Sequence, residues 1–364
     1  VFAQDATATV PESCAPGDSL ITFGSDRNGD YDVYLMGTDG SQVHNLTNTP
    51  GEDFLPTWSP SGSQIAFHSN RTGNWDVYVM NLDGTGVHSL TGDETQDFQA
   101  SWSPDGSQLV FQSDGDLFIM DADGSDWQHL TETETLELTP SWSPDGSQIV
   151  FTANADGDFD IMLIDADGSN LQALTVNDVP DFLPLWSPNG SEIGWTAAVG
   201  DVQLPYVMNA DGSNPHALSA AVTAGAMGNW SPDGQWVVIA SSTNGNSDIY
   251  VVDTASGEIV QQLTDSPATD GNPAWSPCVP GILERLAASC FISATNNANL
   301  RGGPGTTFSV EGTLKQGAVV QGIGQATGND GMVWWQLAGE SWVRSDLVDE
   351  TGGCDALPTV SPDA

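Results

Sequence analysis

A chain of 364 residues has room for two domains, and its 49 acidic against 6 basic side chains give a formal net charge of -43. That balance excludes nucleic acid and anionic membrane surfaces as partners, because both are bound through clustered Lys and Arg. No apolar run approaches the roughly 20 residues of a membrane-spanning helix. The chain opens Val1-Phe2-Ala3-Gln4, which reads as the end of a secretory signal peptide cleaved near Ala3, within a polar N-terminal arm over residues 1–19. Cys14, Cys278, Cys290 and Cys354 in such a chain point to disulfides and export.

From residue 20 onward the chain is organised by one string. Trp102-Ser103-Pro104-Asp105-Gly106 returns as Trp142-Ser143-Pro144-Asp145-Gly146 and Trp230-Ser231-Pro232-Asp233-Gly234, with looser copies starting at Trp58 and Trp186. A sixth copy, Trp275-Ser276-Pro277, runs into Cys278. The tryptophans lie 44, 40, 44, 44 and 45 residues apart. Within one period, Phe98 to Thr139, a short strand ends in the Pro104-Asp105-Gly106 turn and an apolar strand, Gln108–Gln112, follows. A tight Ser113-Asp114-Gly115-Asp116 turn leads to Leu117–Met120, and Ala122-Asp123-Gly124 turns into Gln128–Thr131. Four short strands in a period of 40 to 45 residues predict the blades of a propeller. The copies predict an all-β, six-bladed β-propeller over residues 20–277.

Two further stretches carry a family signature. Ser25-Asp26-Arg27-Asn28-Gly29-Asp30-Tyr31-Asp32-Val33-Tyr34 and Ser69-Asn70-Arg71-Thr72-Gly73-Asn74-Trp75-Asp76-Val77-Tyr78 share one pattern, placed between the Trp-Ser-Pro-Asp-Gly turn and an Asp-Gly-Ser, Leu-Thr ending. In that order the repeats resemble the TolB-type β-propeller family. The third blade has a shortened loop, and the fifth, at Gly200-Asp201-Val202-Gln203-Leu204-Pro205, has lost the pattern.

The register also predicts how the ring closes. Leu20-Ile21-Thr22-Phe23 has no tryptophan string before it, and Trp275-Ser276-Pro277 has no apolar strand after it. Aligning residues 15–21 with Ser-Pro-Asp-Gly-Ser-Gln-Ile puts Cys14 and Cys278 in one split hairpin, so a Cys14–Cys278 disulfide is expected to replace the missing turn.

Residues 278–289 read as a linker, and the composition then changes. Ala298-Asn299-Leu300-Arg301-Gly302-Gly303-Pro304-Gly305, Gly312-Thr313-Leu314-Lys315-Gln316-Gly317, Val333-Trp334-Trp335-Gln336-Leu337 and Ser341-Trp342-Val343 follow in order. Residues 290–354 thereby resemble a bacterial Src-homology-3-like domain, a small β-barrel, ahead of a tail at 355–364. The resemblance implies binding of cell-wall peptides or glycans, or docking on a neighbour. Phe308, Trp334, Trp335 and Trp342 are its candidate groove residues, with the core of a small barrel as the alternative. Cys290 and Cys354 bracket the domain and are expected to pair.

Chemistry-bearing clusters are few. Gly17-Asp18-Ser19-Leu20 spells an esterase string but lacks the strand-to-helix setting a nucleophile needs. His44, His88 and His216 repeat one blade position and form no metal signature. Five residues before their tryptophans stand Asp53, Asp97, Glu137, Asp181 and Asp270, with Gly225 in the remaining blade. They either form an acidic ring at one mouth of the channel or each close a local turn. Asp26, Asn28, Asp30 and Asp32, and again Asn154, Asp156, Asp158 and Asp160, alternate as calcium ligands do, although the Gly position is wrong for a helix-loop-helix site. Calcium is thus the one cofactor the residues suggest, and none is required.

Nine of the 49 acids fall in residues 281–364 with Arg285, Arg301, Lys315 and Arg344, leaving 40 acids against Arg27 and Arg71 before them. The less acidic domain could dock on the acidic disk of another copy. The expectation is a secreted, extracellular or cell-surface structural or interaction protein rather than an enzyme. Its partners are proteins or itself, as in a surface layer or filament, with cell-wall peptide or glycan binding as the alternative and a glycan-active enzyme using the propeller channel as the lesser one.

Overall fold

The computed structural model describes residues 14, 18–92, 94–155, 157–282, 286, 290–294, 298–314, 319–337, 341–352, 354 and 359. The expected signal-peptide end therefore lies outside the described residues. Six four-stranded antiparallel sheets are followed by one of seven strands.

Each four-stranded sheet starts from a six-residue innermost strand that ends on the repeating tryptophan: Asp53–Trp58, Asp97–Trp102, Glu137–Trp142, Asp181–Trp186, Gly225–Trp230 and Asp270–Trp275. The two middle strands are apolar without alternation because both of their faces are covered. Leu20–Ser25 and Asp32–Gly37, for example, are buried at every position. The core lies between sheets. Ala66, Val77 and Val79 of one pack on Ala100, Trp102, Leu109 and Phe111 of the next.

The tryptophan string is a self-satisfied turn. Ser103 Oγ donates to Asp105 Oδ1 at 2.7 Å and accepts the Gln108 N–H at 2.9 Å, while the Ser107 N–H bonds Asp105 Oδ1 at 3.0 Å. Gly106 stands at φ 72°, where a Cβ is disfavoured. The same bonds recur at Ser143, Ser187 and Ser231.

The final sheet joins the two ends of the repeat region. Asp270–Trp275 pairs with Leu20–Ser25, in the order innermost strand, Leu20–Ser25, Asp32–Gly37, His44–Asn45. Ser276 Oγ accepts the Leu20 N–H at 2.9 Å, and the Ser276 N–H donates to Leu20 O at 2.8 Å. These are the bonds Ser103 makes with Gln108, now crossing the seam. Cys14 and Cys278 are disulfide-bonded there, with Cα atoms 5.6 Å apart. Asp18 adds a cap by accepting the Gly281 N–H at 3.0 Å.

The seven-stranded sheet runs from Cys290 to Gly352. Its core contains Ile292, Leu314, Trp335, Leu337 and Val343. Cys354 is buried and disulfide-bonded, whereas the side chain of Cys290 lies outside the described residues.

The chain-entropy model assigns a disulfide closing a loop this long at most about 5 kcal/mol. A Cys14→Ser, Cys278→Ser double variant is therefore expected to unfold at lower guanidinium concentration, with a loss within that limit. Tryptophan fluorescence follows the transition, and an unchanged midpoint would show that the seam hydrogen bonds suffice.

Candidate functional site

The six innermost strands surround one cavity of about 320 Å³. Its wall is indole, prolyl, aliphatic, amide and hydroxyl: Trp58, Pro140, Leu185, Gln99, Asn272 and Thr139 are representative. None of the lining residues is Asp, Glu, His, Cys, Lys or Arg.

A repeated backbone irregularity shapes this wall. Leu55, Gln99, Thr139, Leu183 and Asn272, each two residues after the acid, have φ between 47° and 55°. The pairing register shifts at each, as between Phe54 and Thr57 or Phe98 and Ser101. A bulge places the extra residue in the left-handed region, which a β-branched residue such as Thr139 enters only when its surroundings hold it. The Thr139 N–H released from the ladder is taken up by Gln99 Oε1 at 2.9 Å, across to the neighbouring strand. Sequence reasoning missed these bulges. Only Asn272 carried a signal, since asparagine tolerates that conformation and leucine and threonine do not.

The five acids share one level at the start of these strands, but they are buried, between 0% and 2% exposed. Each is engaged within the fold. Asp53 pairs with Arg71 and Asp270 with Arg27, both at 2.9 Å. Asp181 accepts from Trp195 Nε1 at 2.8 Å and from Asn177 at 3.1 Å. Glu137 accepts from Thr131 and Thr133, and Asp97 from Thr95. The open acidic ring is thus corrected: the carboxylates turn into the sheets, where hydrogen bonds and arginines offset their desolvation. Both guanidinium groups also lie over aromatic rings, Arg27 4.7 Å from Tyr34 and Arg71 4.9 Å from Tyr78.

A second buried carboxylate accompanies most of these acids. Asp32, 2% exposed, accepts from Asn45 at 2.8 Å and sits near Thr47. The Thr of each Leu-Thr ending accepts an N–H from the third strand: Val33 to Thr47, Val77 to Thr91, Leu117 to Thr131, Ile161 to Thr175 and Ile249 to Thr264, at 2.8–3.0 Å. The divergent sheet explains itself here. Pro205 occupies that position and has no N–H, and Ser219 replaces the threonine and bonds the Ala221 N–H instead.

This burial also divides the residues of the calcium expectation. Asp32 and Asp160 point into their sheets, Asp160 accepting from Thr175 at 3.1 Å. Asp26 accepts the Thr269 N–H at 2.8 Å, and Asn28 is buried. Asp30 remains at the partly exposed surface, as do Asn154 and Asp158, while Asp156 lies outside the described residues. Among the described residues no three His, Cys, Asp or Glu converge as metal ligands. The small-domain groove is corrected too. Trp334, Trp335 and Trp342 are 2–5% exposed and belong to the core, leaving Phe308 exposed alone. A small domain buries its large aromatics first because it has little other apolar mass.

Comparison with known proteins fits this geometry. A family model described as the TolB beta propeller domain matches residues 43–226 and 158–283. The chain belongs to that family. TolB from Acinetobacter baumannii is similar in structure at 22% identity and a TM-score of 0.61, over 71% of this chain and 67% of that one. A putative TolB from Agrobacterium tumefaciens gives 20% and 0.56, over 71% and 92%. A chain in a nidogen/laminin complex gives 9% and 0.59, over 71% and 98%. A search of curated proteins finds no match. At these identities the structural likeness speaks for the fold alone. Among the described residues no helix is long and apolar enough to cross a membrane.

Burial raises Asp53 despite Arg71, and likewise raises Glu137 and Asp181. It lifts Asp32 to about 8, Asn45 opposing and Asp53 adding to the rise. These groups hold protons more tightly folded than unfolded, so the stability they contribute is full below about pH 4 and is lost as pH rises toward the folded values. The melting temperature is expected to be higher at pH 5 than at pH 8, and calorimetry showing the reverse would contradict this account.

The Arg71–Asp53 pair gives a local test. Arg71→Met strands a buried carboxylate and is expected to cost about 3 kcal/mol at pH 8. At pH 4, where Asp53 can take up a proton, urea unfolding should show a much smaller loss. An equal loss at both values would assign the effect to packing.

Proposed function

We propose that the protein is a non-catalytic interaction protein acting outside the cytoplasm. In this reading the six sheets are the blades of a closed propeller, and the seven-stranded sheet is a small Src-homology-3-like barrel behind it. The observation that carries the reading is the wall of the central cavity. It is contributed by six strands and is rich in indole and proline, and its lining includes no group able to move a proton near neutral pH. Such a wall suits holding a polypeptide segment of a partner. The disulfide at the seam supports a place outside the reducing cytoplasm.

Self-association is the sharper form of the proposal. Residues 1–280, with 40 of the 49 acids, would meet in another copy residues 281–364, which carry four of the six bases. A surface layer or filament would follow if that contact did not close. Binding of cell-wall peptide or glycan is the weaker reading, because burial removes the tryptophans that would have formed its groove.

The test uses Leu185→Trp, which narrows the cavity without changing charge. Wild-type protein immobilised with extracytoplasmic material from the producing organism is expected to retain a discrete protein, its own copies included. The variant, folded by circular dichroism, should lose it. Equal retention by both proteins would overturn the cavity as the contact site, and turnover of an offered glycan by wild type but not the variant would overturn the non-catalytic reading.

A further inference from the structure

Four aromatic side chains form a continuous arc at one side of the cavity mouth. Ring centroids are 4.6 Å apart for Tyr31–Phe54, 5.9 Å for Phe54–Trp75 and 5.8 Å for Trp75–Phe98. All four are partly exposed. Phe54 and Phe98 directly precede Leu55 and Gln99, which line the cavity, so the arc stands at the level of the buried acids. Its loops are held at that edge by backbone bonds, Asp53 N–H to Tyr31 O and Asp97 N–H to Trp75 O, both at 2.8 Å. His68 is buried beneath it, edge-on to Trp75 at 5.2 Å and to Phe98 at 5.5 Å. Burial lowers the His68 imidazole to about 3, so the floor of the arc is uncharged at neutral pH.

The arc ends at Phe98. Where Phe54 and Phe98 stand, the other innermost strands carry Leu138, Phe182, Ala226 and Gly271, and Phe182 meets Phe159 in a separate pair at 5.2 Å. The charge around it is of one sign. Glu52 bonds the Tyr31 N–H at 3.2 Å, and Glu94 and Asp114 are exposed in the adjoining loops. The two cations of this region, Arg27 and Arg71, are turned inward onto Asp270 and Asp53 and cannot neutralise it. A partly exposed aromatic surface bordered by carboxylates complements a cation that can also stack.

We propose that the arc Tyr31–Phe54–Trp75–Phe98 is a docking site for an arginine-bearing peptide segment of a partner protein, its guanidinium groups stacked on the rings and faced by Glu52 and Glu94. This rests on the reading of the chain as an interaction protein and adds the chemistry of the partner. It differs from the cavity in place, so Leu185→Trp is expected to leave it intact.

Isothermal titration of the full-length protein with a hexa-arginine peptide tests it at moderate salt, where diffuse attraction to a highly acidic protein is screened. The expected result is one saturable site per chain, weakened about tenfold by Trp75→Ala, as loss of one desolvated cation–aromatic contact implies. Trp75→Leu keeps apolar volume and should be as weak, which covers the case in which the alanine variant fails to fold. Trp236→Ala, removing an exposed tryptophan elsewhere on the repeat region, should bind like wild type. Equal affinity in Trp75→Leu and Trp236→Ala, or absence of a saturable site, would overturn the proposal and assign binding to net charge. Loss of the captured partner in Leu185→Trp with peptide binding unchanged would separate the two sites.

Discussion

Burial of both faces of every four-stranded sheet makes each sheet dependent on its neighbours. Leu20–Ser25 and Asp32–Gly37 are covered on both sides, and their partners come from Trp58 and Ile65 on one flank and Val238 and Ile249 on the other. A set built this way has no free end to leave in water. The seam between Asp270–Trp275 and Leu20–Ser25 is where that requirement is met, by strand pairing, a split version of the serine turn and the Cys14–Cys278 bond.

The same demand accounts for the carboxylates. Adjacent sheets meet where one third strand begins and the next innermost strand starts, and backbone N–H groups there need acceptors away from water. Threonine hydroxyls meet that need and touch the buried acids. Arg27 and Arg71 each neutralise one. Much of a repeating acidic signature is therefore internal wiring and not a ligand site. What remains outside is the unneutralised charge of the loops and the apolar wall of the cavity.

The repeat was legible because turn chemistry is local. Trp-Ser-Pro-Asp-Gly fixes a hairpin wherever it stands, so counting its copies located the sheets, and its broken sixth copy located the seam and the disulfide. Side-chain direction was not legible in the same way. Asp26 to Asp32 alternate like ion ligands, yet one of them turns inward to Asn45, which lies in another strand. Trp334 and Trp342 resemble a groove until the sheet closes over them. Tyr31, Phe54, Trp75 and Phe98 each occupy an ordinary repeat position, and only the packing of successive sheets makes them continuous. The bulges at Leu55 and Thr139 left no trace, because a left-handed backbone held by tertiary contacts needs no special residue.

Hydrogen exchange at the seam is the most direct test of this account. If closure there supports the whole set of sheets, amides of Ile21–Ser25 and Asp270–Trp275 exchange as slowly as those of Ile65–Ser69, and all accelerate together on reduction of the disulfide. Fast exchange confined to the seam, with the other sheets protected before and after reduction, would contradict it.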